Sequence, residues 1–174
     1  MWNKLAIGTL GTCLCGLLLA CGMSSRGDAV TFNDSIAKPN GRVDNAIKGL
    51  VDRMSAAIKG NPGAVAEFKK AITDAKQTLA TAKAEVKAIK VLPKQSAKDF
   101  YDAELKYLAM REKNIDDFGE MVRVFEDNNM NQFAKNQKVI EIANKIDADE
   151  KKDLTPLQAA QATFAKDHNI TILP

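Results

Sequence analysis

The sequence predicts an all-α protein: an up-down-up-down antiparallel four-helix bundle with coiled-coil-like packing, set behind a separate N-terminal segment. Three observations predict it. The 174 residues are 45 % apolar and 27 % charged, an ordinary globular balance, while aromatics are only 6 % and ten Gly and five Pro are too few to punctuate a β-sandwich. From Val65 to Ile89, apolar residues recur at alternating spacings of three and four without an error. Three other segments carry the same period, separated by short breaks.

The N-terminal segment comes first. Met1 to Lys4 carries one positive charge, and Leu5 to Ala20 is a run of apolar or small residues ending in Leu18-Leu19-Ala20-Cys21. A run this short behind a Lys fits a secretory signal, since a retained spanning helix, the alternative, needs about 20 apolar residues. The last four residues resemble the bacterial lipobox, which implies cleavage between Ala20 and Cys21 and thioether lipidation of Cys21. Leu19 is bulkier than the usual occupant of its slot. Cleavage there removes Cys13 and Cys15 and leaves one lipid-bearing Cys, so no disulfide is expected. Two or three acyl chains, at about 0.8 kcal/mol per buried CH2, would anchor the chain durably. The expected organisation is a signal peptide over 1–20, a lipidated polar tether over 21–30, one helical domain over 31–170 and a tail over 171–174.

Phe32, Ile36, Val43, Ile47, Leu50, Met54 and Ile58 form the stripe of the first helix. Pro39 and Gly41 interrupt it, but Ile36, Val43 and Leu50 stay in phase, which predicts one kinked helix ended by Gly60. In the second helix Val65, Phe68, Ile72, Ala75, Leu79, Ala82, Val86 and Ile89 form the stripe. Asn61 is its expected N-cap, Pro62 lies in its first turn, and Pro93 ends it. The third runs from about Ser96 to Glu126 on Tyr101, Leu108, Ile115, Phe118, Val122 and Phe125, closed by the turn residues Asp127-Asn128-Asn129. The fourth carries Phe133, Ile140, Ala143, Leu154, Leu157 and Phe164. Its polar middle, with Thr155-Pro156, leaves open whether 129–168 is one helix or two. Short connections make the four neighbours antiparallel rods of about 40 Å at 1.5 Å per residue.

The polar residues exclude more chemistry than they suggest. The formal charge is +3, which gives no pull towards nucleic acid. One His and no Cys pair argue against a transition-metal site, and no cofactor is expected. Asp147-x-Asp149 lacks the later ligands of a calcium loop, and Gly60-Asn61-Pro62-Gly63 lacks the length and the Lys-Ser/Thr of a phosphate loop. His168, in the closing turn, suits a C-terminal helix cation better than a catalytic base. No catalytic residue is assigned, and a non-enzymatic protein is expected.

Two features remain. Lys69, Lys76, Lys83 and Lys90 recur every seven residues beside the apolar seam, either as a basic stripe for phosphate head groups or as a row pairing with the third helix, with Lys76 opposite Glu112. Glu104 and Arg111 both fall on the apolar stripe of the third helix, one heptad apart. An unpaired buried charge costs several kcal/mol, so Arg111 should bridge to Glu104 or to a carboxylate on another helix. This candidate pair would either fix register or floor a groove.

Phe32-Asn33-Asp34-Ser35-Ile36 and Phe164-Ala165-Lys166-Asp167-His168-Asn169-Ile170 resemble a family of bacterial surface lipoproteins first noticed in leptospires. The resemblance implies a helical surface lipoprotein and no particular activity; the Pro39/Gly41 break departs from an unbroken first helix. Gly22 after the lipid-bearing Cys resembles the pattern that sends lipoproteins to an outer membrane. The expected function is therefore a non-catalytic, lipid-anchored module at the cell surface or envelope, with a possible protein partner. The alternative is a periplasm-facing accessory protein holding a protein or lipid between its helices.

Overall fold

The computed structural model describes residues 25–171, and all four helices are present: α1 Arg26–Ile58, α2 Ala64–Lys87, α3 Gln95–Glu126 and α4 Gln132–Asp167. No strand occurs among the described residues. Cross-helix ion pairs fix the directions. Arg53–Glu67 and Arg42–Glu85 run α1 against α2. Lys69–Glu126, Lys76–Asp116 and Lys83–Glu112 run α2 against α3, and Lys106–Asp153, Lys113–Asp149 and Lys145–Asp117 run α3 against α4. Each neighbouring pair is antiparallel. α1 and α4 touch only sparingly, and α3 reaches between them.

α1 begins earlier than expected. Ser25 accepts from the Asp28 amide at 3.1 Å while the Asp28 carboxylate accepts from the Ser25 amide at 2.9 Å, a reciprocal cap that starts the helix at Arg26. Residues 26–30 are thus helix and not tether, and Ala29 is buried. α1 runs unbroken through Pro39. At its end Gly60, at φ 71°, donates to Ala57 O and Asn61 N donates to Ala56 O, a left-handed closing turn that only Gly adopts without strain. Because Asn61 is used to close α1, it does not cap α2; Gly63 at φ 77° takes that position, and Pro62 lies in the connection. Asn169 repeats the device at φ 52° after α4, where Ile170 N donates to Ala165 O and its side chain packs on the core.

α4 is one helix through Pro156; the expected stripe holds for Ala143, Leu154, Leu157 and Phe164 but fails in the first turns, at Phe133 and Ile140. Val139, Ile142, Ile146, Leu157 and Phe164 face inward, whereas Phe133 is 71 % and Ile140 54 % exposed. Antiparallel packing on α3 selects the row on which Lys145, Glu150 and Asp153 meet Asp117, Arg111 and Lys106. The polar middle is therefore an inward electrostatic row, not a break.

His168 caps α4 and is also buried, with its ring 4.5 Å from that of Phe164. Burial, aided by the Lys94 charge, lowers its pKa, so the imidazole is neutral at neutral pH and is not the helix-end cation expected.

The interior divides into two cores. One contains Val43, Ile47 and Leu50 of α1, the α2 stripe, Leu108 to Val122 of α3, and Val139, Ile142 and Ile146 of α4. The other contains Ala29, Phe32 and Ile36, Ala97, Phe100, Tyr107 and Met110, and Leu157 and Phe164. At its centre Phe32, Phe100 and Phe164 pack with ring centroids 5.2–6.2 Å apart. The first turns of α1 and the last turns of α4 therefore meet, and Gln161 also donates to Asn33 at 2.9 Å.

A candidate functional site in the polar seam of α3

α3 is buried on two sides and carries a polar row through the interior. Glu104, Tyr107, Arg111, Asn114 and Asp117 follow one another at spacings of three and four, all buried, along the edge where α1 and α4 are least in contact. The row threads between Leu108 and Ile115, which face α2 and hold α3 in register.

Arg111 is the hub. Its side chain is 4 % exposed, and one Nη2 donates to Asp44 of α1 at 2.6 Å and to Glu150 of α4 at 2.9 Å. The guanidinium lies 4.8 Å over the Tyr107 ring, whose hydroxyl donates to Asp44 at 3.4 Å. Burial disfavours the charge on Arg111, but the hydrogen bond to Glu150 and the nearby anions outweigh it and raise its pKa. Arg111 therefore bridges to other helices, one of the two expected arrangements, and makes no hydrogen bond to Glu104.

Glu104 is 1 % exposed, and neither carboxyl oxygen has a hydrogen-bond partner within the protein. Burial, reinforced by the Asp44 charge and opposed by Arg111, pushes its pKa up to about 8, so at neutral pH it holds its proton. Burial likewise raises the Tyr107 phenol. Nε and Nη1 of Arg111, Oδ1 of Asn114 and Oδ2 of Asp117 also lack partners, while Lys145 closes on the other Asp117 oxygen at 2.7 Å. The row can store one proton and tie three helices through one cation. It presents no nucleophile paired with a base, and among the described residues no cluster of three or more His, Cys, Asp or Glu is placed for a metal.

Position on the apolar stripe revealed Glu104 and Arg111. Asp44 and Glu150 carry no such signal: Asp44 sits beside the stripe residue Val43, and Glu150 sits in the polar stretch that leaves the number of helices open. The one signal for them was the demand that a buried Arg find a carboxylate.

The lysine row pairs with α3, offset by about one turn from expectation. Lys76 meets Asp116 at 2.7 Å, and Glu112 is taken by Lys83 at 2.8 Å. Cys21, Ala20 and the rest of the N-terminal segment lie outside the described residues. Among the described residues no helix is long and apolar enough to cross a membrane. No family model, curated protein or solved structure matches the chain.

Proposed function

We propose that the chain is a lipid-anchored, non-catalytic helical module of a bacterial envelope, held to the membrane through Cys21 and displayed at the outer surface. The observation that carries this reading is the spacing between the lipobox-like Leu18-Leu19-Ala20-Cys21 and the reciprocal cap of Ser25 with Asp28. Cleavage before Cys21 would leave only Gly22, Met23 and Ser24 between the lipid and the first cap, and so hold the bundle close to the bilayer. Gly22 and the likeness of residues 32–36 and 164–170 to surface lipoproteins support display at the outer membrane. The test is Cys21→Ser: the reading expects an unprocessed precursor and loss of the lipid-dependent membrane fraction, and unchanged processing would defeat it.

The second reading is a periplasm-facing accessory protein. The polar seam at the loose α1–α4 edge favours it, because that edge is where a partner would enter with least loss of packing. Protease shaving of intact cells separates the two: digestion of the bundle supports surface display, and protection until lysis supports the accessory role.

A further inference from the structure

The two helix-interior prolines lie opposite one another. Asn33 pairs with Gln161 and Phe32 with Phe164, while Asp44 and Glu150 share Arg111; counting inward from both ends brings Pro39 of α1 level with Pro156 of α4 to within a residue. The α1–α3 register sets Pro39 level with Lys106 and Tyr107, and the α3–α4 register sets Pro156 level with Glu104, so Glu104 lies within about a turn of both prolines. Proline has no N–H, so Ser35 O and Lys152 O each lose the helical bond they would otherwise accept.

The core divides at that level. Every α1 residue of the aromatic core precedes Pro39, and its buried α4 residues, Leu157 and Phe164, follow Pro156, with Leu154 packed against it from just before the proline; the α1 and α4 residues of the larger core lie on the other side of both prolines. α2 contributes only to the larger core. α3 has no proline and runs through both.

We infer that the bundle is a hinged pair of units, in which residues 26–38 of α1 and 157–167 of α4 open together from the α3 spine about Pro39 and Pro156, while Arg111 latches the stationary halves of α1 and α4 to that spine through Asp44 and Glu150. The latch is one cation held by two carboxylates that are partly solvated, at 44 % and 32 % side-chain exposure. Around it stand Asn40 and Asp44 from α1, Glu104 and Tyr107 from α3, and Glu150 and Asp153 from α4, while the α2 charges nearest in sequence register, Glu85 and Lys83, pair with Arg42 and Glu112. The unpartnered Glu104 and Asn40 oxygens lie near this level, where opening would let water satisfy them.

Hydrogen exchange of the full chain in detergent, followed by mass spectrometry, tests this. In the wild type, 26–38 and 157–167 should exchange together and faster than α2. Phe100→Leu, which removes the α3 ring that touches both segments and leaves the larger core untouched, should speed exchange in those two segments by about tenfold and leave 64–87 within about twofold. Adding Pro39→Ala and Pro156→Ala should return most of the protection. Equal acceleration in all four helices, or no coupling between the two segments, would overturn the hinge.

Discussion

Arg111 of α3 and Asp44 of α1 are joined at 2.6 Å across the edge where α1 and α4 barely meet, and the same guanidinium nitrogen holds Glu150. One buried cation thus ties together two outer helices that otherwise touch only sparingly. Removing it should leave two carboxylates facing each other beside a third carboxyl group. Arg111→Met should destabilise the fold by about 3 kcal/mol, the low end for a broken buried pair, because Asp44 and Glu150 keep some solvent. Asp44→Asn should cost about 1 kcal/mol. Urea unfolding followed by circular dichroism gives both values, and equal losses would contradict the hub role of Arg111.

Glu104 predicts an unusual pH dependence. Its folded pKa, about 8, lies above the ordinary 4.5, so between these values the folded state binds more protons than the unfolded chain. Stability must then fall as pH rises from about 5 to 8, with a limiting slope of about 1.4 kcal/mol per pH unit. His168 acts oppositely: its lowered pKa makes stability fall as pH drops through the usual histidine range. Glu104→Gln isolates the carboxyl contribution. The variant should be more stable than wild type at pH 8, and its advantage should shrink towards pH 5.

The two outward apolar residues of α4 give a contrast with its core. Phe164→Ala removes a fully buried ring that touches Phe32, Phe100 and His168, and should cost about 3–5 kcal/mol. Phe133→Ser, at 71 % exposure, should change stability by less than about 0.5 kcal/mol. Thermal unfolding of both variants checks the phase of the helix directly.

Glycines divide the same way. Gly60 and Gly63 sit at φ 71° and 77°, where Ala is strained, so either substitution should cost about 1 kcal/mol. Gly41 lies inside α1 with nothing within 4 Å of an added Cβ, and Gly41→Ala should stabilise by about 0.5–1 kcal/mol. Chemical denaturation of the three variants measures the signs.

The α2 stripe was legible residue by residue, because a heptad of Val, Phe, Ile, Ala and Leu admits one burial face. α3 was equally plain, and the misfit of two charges on its stripe exposed the seam. The first half of α4 was not: Phe133 and Ile140 mimic a stripe, while the inward row carries Glu150 and Asp153, whose partial burial depends on partners in α3 that no local pattern reveals. The caps were hidden for a similar reason. Asn61 suits either the end of one helix or the start of the next, and the left-handed Gly60 before it decides for the former.

The central claim is covalent attachment of acyl chains at Cys21. Growing expressing cells with labelled palmitate, then isolating the protein and measuring its intact mass, tests it most directly. The account predicts a labelled chain that has lost residues 1–20 and carries its lipid on Cys21. An unlabelled protein that keeps Met1 to Ala20 would contradict it.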